Sequence, residues 1–150
     1  MNSLSISISR AGVMTEVSLA SAYAGAKSRD ETVPFERVAT ISEDGEFLSR
    51  FWNDSCGEVA TVLKEFVSVA EFAGDVFRLE LELSGSYDAA MTPSVEKDLF
   101  SSVTAGVIAR WFRFTCPGSA PEWEERSAML LARAHRKLCQ RRPPRRQTIT

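Results

Sequence analysis

The pattern of hydrophobic and polar positions begins with an alternation and then becomes helical. Leu4, Ile6 and Ile8 alternate with serines, which is the period of a half-buried strand. A strand with one apolar face needs an edge to pair with, in its own chain or in a neighbouring copy. Small apolar residues at helical spacing next predict a helix over about residues 14–27. The polar segment Ser28–Thr40 is predicted to be a connecting loop.

The strongest helical signal in the chain follows Ser42, a predicted N-cap with acidic residues in the turn after it. Apolar positions then recur at intervals of three and four residues as far as Val69, the spacing of an amphipathic helix. Such a helix would have more than five turns and measure about 36 Å. The stripe consists of Leu48, Trp52, Ser55, Val59, Val62, Phe66 and Val69.

The second half of the chain predicts one more strand and two more helices. Apolar and charged residues alternate over Phe77–Leu83, as expected of a strand with one wet face. Pro93 opens a helix with large residues on several sides, which we expect to be the most buried helix, with Trp111 in the core. The sequence at 119–122 fits a capping box, and the helix that follows is predicted to end near Leu138.

Together these elements predict one domain over residues 1–140, mainly α with a minor β component. It comprises three main helices, an N-terminal strand and a short strand before the buried helix. A chain of 150 residues buries enough surface to build a core without metals or disulfides. The three cysteines, Cys56, Cys116 and Cys139, are odd in number and far apart, which indicates ordinary thiols in a reducing compartment. No apolar run approaches the ~20 residues of a membrane span, and no secretion signal is recognised.

Charge is unevenly distributed along the chain. The net charge is −2, but no acid follows Glu125, and seven of the eighteen bases lie in the last eighteen residues. The rest of the chain contains the other eleven bases and all twenty acids. An acidic body with a strongly basic end predicts an anionic partner, either nucleic acid or an acidic protein surface. The seven bases are Arg133, Arg136, Lys137, Arg141, Arg142, Arg145 and Arg146. The Pro/Arg-rich segment 141–150 is hereafter the basic tail.

Catalytic chemistry finds little support in the sequence. His135 is the only histidine and lies among arginines, so a surface role is the simplest interpretation and Ser-His or Cys-His catalysis is disfavoured. The acids suit helix starts and the polar face of a strand, and no phosphate-binding glycine motif occurs. We therefore predict no enzyme, no catalytic residue, no cofactor and no metal.

The layout from Ser42 onward resembles the small helical head–tail connector, or neck, proteins of tailed bacteriophages. The resemblance rests on an acidic helix start before a long amphipathic helix, a short strand region, a Pro-initiated buried helix with an aromatic pair near its end, and a last helix packed across it. Several segments also resemble neck-region proteins from phages of gut Bacteroidetes. These segments are Ala22–Lys27, Arg50–Trp52 and Arg142–Arg146. In the connector layout, the acidic helix start is 42–48 and the buried helix runs from Pro93 to the pair Trp111-Phe112.

This resemblance implies a structural virion protein in a ring, commonly of twelve copies, between the portal and the tail. DNA would pass through the ring without sequence-specific binding, and assembly would take place in the host cytoplasm, away from membranes. The expected partners are further copies, the portal protein and adjacent neck or tail proteins. The candidate partner-binding residues are Leu4, Ile6 and Ile8, through strand pairing between subunits, and Arg141, Arg142, Arg145 and Arg146, through docking of the basic tail to a neighbouring ring.

The alternative is a nucleic-acid-binding regulatory protein that uses the basic tail. Against it, the acidic body offers no broad basic footprint.

Overall fold

The computed structural model describes residues 2–27 and 44–143. That part of the chain forms a mainly helical domain with a small antiparallel sheet, which confirms the predicted fold class. The loop expected at Ser28–Thr40 and the N-cap expected at Ser42 lie outside the described residues. The elements are β1 (Asn2–Ser9), α1 (Arg10–Lys27), α2 (Gly45–Val62), β2 (Val67–Ala73), β3 (Val76–Leu83), a 3-10 turn (Ala89–Met91), α3 (Thr92–Thr115) and α4 (Ala120–Leu138).

The sheet has the strand order β1-β3-β2, with both pairings antiparallel. The two strands predicted from the sequence therefore pair with each other inside one chain, in a register that runs from Asn2 opposite Leu83 to Ser9 opposite Val76. A two-residue turn joins β2 to β3, and Gly74 occupies its first position with φ of +62°. Glycine suits that backbone conformation because it has no Cβ to clash.

The alternation of residues along β1 and β3 gives the sheet one buried face and one wet face. The buried face consists of aliphatic and aromatic side chains that are at most 2% exposed, and the helices cover it. These side chains are Ile6, Ile8, Phe77, Leu79, Leu81 and Leu83. The wet face carries the serines of β1 and the charged residues of β3.

Helix α3 is the centre of the domain, since it packs against α1, α2, α4 and β1. Its burial on several sides confirms the prediction that it is the most buried helix, and Trp111 is 7% exposed. Small residues at Ser102, Gly106 and Ala109 let the neighbouring helices approach closely. Helix α4 forms the most extensive of these contacts.

The predicted extension of the second helix to Val69 is wrong. Helix α2 has 18 residues and ends at Val62, so that Phe66 lies in the connecting turn and Val69 in β2. The residues after Val62 also fit the two-residue period of a strand, and pairing with β3 gives their backbone groups hydrogen-bond partners. The sheet therefore has a third strand that the sequence analysis did not predict.

Two local expectations at the ends of α3 and α4 are also corrected. The helical spacing that includes Trp111 also predicts that Phe114 is buried, but Phe114 is 74% exposed, because the helix end extends past the core. Ser119 has helical backbone angles and its side chain forms no capping hydrogen bond, so the predicted capping box is not formed. Glu122 still lies in the first turn of α4, where the helix dipole favours an acid.

Candidate interaction surfaces

The start of the basic tail is attached to the loop that follows β3. Arg141 forms an isolated antiparallel bridge with Tyr87. The amide of Arg142 donates to the carbonyl of Ser86 at 2.7 Å, and its guanidinium donates to the carbonyl of Gly85 at 3.3 Å. The chain thus stays in contact with the domain two residues past the predicted boundary at 140, and later tail residues leave from a fixed point.

Two of the seven bases near the C-terminus bind a buried carboxylate on α3. Asp98 is 3% exposed and accepts hydrogen bonds from Arg133 at 3.0 Å and Lys137 at 2.6 Å. Burial by itself would raise the pKa of the Asp98 carboxyl, but the hydrogen bonds from Arg133 and Lys137 outweigh it and hold the pKa below its ordinary value. These two bases therefore join α3 to α4, and one of their two positive charges is balanced by Asp98 within the domain.

Of the other five bases near the C-terminus, three lie in the described part of the chain. Arg136 and Arg141 are exposed, and Arg142 is exposed while its guanidinium contacts Gly85. Arg145 and Arg146 lie outside the described residues. An anionic partner would therefore meet Arg136 and the first residues of the tail on one end of the domain.

The side chains proposed for strand pairing belong to the chain's own core. Ile6 and Ile8 are each 1% exposed, and Leu4 packs against the core partly buried. One edge of β1 therefore pairs with β3 of the same chain, and these side chains face the helices of that chain. Strand pairing between subunits through Leu4, Ile6 and Ile8 stays a prediction for the other edge of β1.

The edge of β1 that faces away from β3 presents main-chain N–H and C=O groups. The amide of Glu82 donates to the carbonyl of Phe66, and the carbonyl of Glu80 accepts a hydrogen bond from the hydroxyl of Ser68. These β3 residues therefore direct their backbone groups toward the β2 side of the sheet. In an antiparallel pair, residues opposite such positions direct their own N–H and C=O away from the partner strand. By the register, the outward groups of β1 are those of Ser3, Ser5 and Ser7.

Three phenylalanines form an aromatic patch where the start of α2 meets the end of α3. The rings of Phe51 and Phe114 stack with centroids 5.9 Å apart and an angle of 15° between their planes. Phe47 lies one helical turn before Phe51 on α2, and it is 54% exposed. The sequence pattern does not indicate this patch, because aromatic residues at helical spacing are usually core.

A groove runs between α1 and α4 over the surface of α3. One part has a volume of about 910 Å³ and the next about 490 Å³, and the two share Glu16, Ala20 and Trp123. Arg126 lies over the Trp123 ring at 4.9 Å. The lining combines aromatic and aliphatic residues with alanines, and the charged residues Glu16, Lys97, Glu122 and Arg126 also contribute to it.

Cys56 is buried, Cys116 is partly buried and Cys139 is exposed. Burial raises the pKa of the Cys56 thiol to about 12, so the reactive thiolate is not populated near neutral pH. His135 contacts the carboxylate of Glu65 and the ring of Phe66, and this ties α4 to the turn between α2 and β2. Within residues 2–27 and 44–143, no three acids, cysteines or histidines gather as a metal site would require. None of the helices in the same ranges is long and apolar enough to cross a bilayer.

The sequence did carry a signal for the Asp98 cluster. Asp98 lies between Val95 and Ser102 on a face of α3 that is otherwise apolar or small, where an acid has to find a partner. Arg133 and Lys137 are spaced i, i+4 on α4 and therefore share one face of that helix.

Comparisons with protein-family models, curated proteins and solved structures find no match for this chain. Its function is therefore argued from its surfaces.

Proposed function

We propose that this protein is a structural subunit of the head–tail connector of a tailed bacteriophage and forms part of a ring between the portal and the tail. The observation that carries the proposal is the aromatic patch. Phe114 is 74% exposed and stacks on Phe51, with the exposed Phe47 one turn away. Clustered exposed apolar side chains mark contact surfaces, and aromatic residues are enriched in protein–protein interfaces.

The basic tail supports a second contact in such a ring. Its first residues are held by Ser86 and Tyr87, so the remainder starts from a defined place on the domain. Arg141, Arg142, Arg145 and Arg146 would dock on an acidic surface of the neighbouring ring, as the resemblance implies. A fixed start reduces the conformational entropy lost when such a tail binds.

The charge of the body agrees with passage of DNA through the ring. Apart from the seven bases near the C-terminus, the chain has eleven bases against twenty acids. A mostly acidic surface repels phosphate and limits non-specific adhesion.

The test is the native mass of the protein alone and mixed with the portal protein of the same phage. We expect a ring or a stable co-assembly. Phe114→Ser should abolish it without affecting the fold, because the side chain is exposed. Met129→Ser is the matched control, since Met129 is an exposed apolar residue of α4 outside the patch. A monomer that ignores the portal, or an equal effect of the two substitutions, would contradict the proposal.

A further inference from the structure

The two edges of the sheet differ in how they are protected against strand addition. Edge strands of soluble proteins are usually protected by charges, proline or bulges. β2 has a bulge between Val67 and Val69 and carries Glu71. β1 has eight residues with neither charge nor proline, and its register with β3 is unbroken. The β1 edge is therefore the one that is suited to accept another strand.

The outward main-chain groups of β1 supply the hydrogen bonds that a new strand needs. Ser3, Ser5 and Ser7 direct their N–H and C=O groups away from β3, and within the described ranges no strand lies on that side. An extended peptide that lies along β1 would pair with these groups, as strands do when they add to an open edge.

The wet face next to this edge selects for positive charge. Ser3 lies directly opposite Glu82, and Ser5 opposite Glu80. Glu82 is exposed, whereas Arg78 binds Glu71 at 2.5 Å and also lies 3.8 Å from the carboxylate of Glu80. A strand added beside β1 would lie about 10 Å from β3. Because the intervening serines are short, a lysine or arginine side chain on that face can extend across them toward the exposed carboxylate of Glu82.

The other face of the added strand would continue the apolar side of the sheet. Leu4 is only partly buried at the edge, while Ile6 and Ile8 are covered. Side chains of the new strand that point to this face would lie beside these residues, so apolar residues fit there. The two faces together specify a ligand in which apolar and basic residues alternate.

We propose that the outer edge of β1 binds an extended segment of a partner protein in which apolar residues alternate with lysine or arginine, and that this segment becomes a fourth strand of the sheet. The inference goes beyond the connector assignment and does not rest on it, because the aromatic patch lies on other elements.

The binding test uses fluorescently labelled octapeptides measured by fluorescence anisotropy with the full chain. One peptide alternates valine with lysine, a second has glutamate in place of lysine, and a third has the valines and lysines in two blocks. We expect the alternating lysine peptide to bind at least tenfold more tightly than the other two. It should also slow hydrogen exchange at the amides of Ser3, Ser5 and Ser7.

Two variants separate the backbone and charge contributions. Ser5→Pro removes an outward N–H while leaving the bonds to β3, so binding should be lost, whereas Ser5→Thr should bind normally. Glu82→Lys changes an exposed side chain and should reverse the preference between the lysine and glutamate peptides. This second variant keeps the proposal testable if the proline variant does not fold.

Equal affinity for the lysine and glutamate peptides would overturn the proposal, as would binding without protection of the β1 amides. A dimer of the protein alone that Ser5→Pro dissociates would also overturn it, because it would assign the edge to a second copy. The connector assignment is tested separately by Phe114→Ser, so the failure of one proposal is distinguishable from the failure of the other.

Discussion

At the residue scale, Gly106 of α3 lies against side chains from both α2 and α4. Arg110, one turn further along α3, donates to the hydroxyl of Ser55 on α2 at 2.9 Å and binds Glu58 at 3.0 Å. On the other side, the Ser127 hydroxyl of α4 donates to the carbonyl of Ser102 at 2.8 Å. These polar contacts between buried helices satisfy groups that would otherwise be costly to bury, and they leave no room for a side chain at position 106.

Gly106→Ala is expected to destabilise the domain. The added Cβ would lie 2.9 Å from the Ser55 hydroxyl and 3.1 Å from the Arg110 guanidinium, so their hydrogen bond would have to shift. We expect a loss of about 1–3 kcal/mol in the free energy of unfolding, measured by urea denaturation. Gly57→Ala on α2 is the control, since its Cβ would meet nothing within 4 Å, and it should stabilise by about 0.5–1 kcal/mol. A neutral Gly106→Ala would show that the helices can separate there without cost.

Asp98→Asn is expected to destabilise the domain in a way that depends on pH. The pKa of the Asp98 carboxyl is held below its ordinary value, so its ionised form adds stability above the unfolded-state pKa of about 3.9. That stability is lost as pH falls through the lower pKa of the folded state. At pH 7 we expect the variant to lose about 1.5–3 kcal/mol, since it loses charge-assisted hydrogen bonds.

The measurement is urea denaturation of both proteins at pH 7 and at pH 3, where the difference between them should be smaller. Glu96→Gln removes an exposed acid from the same helix and should change stability little at either pH. A difference between wild type and Asp98→Asn that is undiminished at pH 3 would show that the Asp98 charge is not its source.

At the element scale, the sequence predicted the elements with a single clear period and failed where two periods overlap. The serine alternation of β1 and the Phe77–Leu83 alternation both correspond to strands in the structure. Phe66 and Val69 continue the helical spacing of α2 but also fit a strand, and the choice is made by pairing with β3 across the Gly74 turn. Which strand pairs with which depends on residues far apart in sequence, so a local hydrophobic pattern does not predict it.

The candidate surfaces were harder to predict than the fold for the same reason. The alternating pattern predicted that the Ile6 side chain lies on the apolar face of a strand. It left open whether the residues packed against Ile6 belong to the same chain or to a neighbouring copy. The aromatic patch depends on α2 and α3 being antiparallel, which brings Phe51 to Phe114 across sixty-three positions of sequence. Only the exposed bases of the tail could be named as surface residues from composition alone.

The attachment of the tail predicts that two truncations differ. A chain that ends after Gln140 lacks the Arg141 bridge and both Arg142 hydrogen bonds, whereas a chain that ends after Pro143 keeps them. At about 0.5–1.5 kcal/mol per hydrogen bond, we expect the shorter chain to lose about 1–3 kcal/mol and to melt at a lower temperature. The comparison is by thermal unfolding followed by circular dichroism. Equal melting temperatures would mean that the contacts to Ser86 and Tyr87 contribute nothing to stability.

At the scale of the whole molecule, folding reduces the positive charge that the C-terminal bases offer to a partner. The sequence places seven bases near the C-terminus, and a chain with all of them free would resemble a nucleic-acid-binding tail. In the structure, Arg133 and Lys137 share the carboxylate of Asp98 instead, so one of their two positive charges is balanced within the domain. The positive charge available to a partner at this end of the domain is therefore smaller than the composition indicates.

This difference can be measured through the salt dependence of DNA binding. Each base that neutralises a phosphate contributes about −0.9 to the slope of log affinity against log salt concentration. Seven free bases would give a slope of about −6, whereas the five that remain after Asp98 has bound two would give at most about −4.5. We expect the shallower slope for any duplex DNA binding, measured by anisotropy between 50 and 200 mM salt. A slope near −6 would mean that Arg133 and Lys137 leave Asp98 for the phosphates, and it would favour the nucleic-acid-binding alternative over the connector.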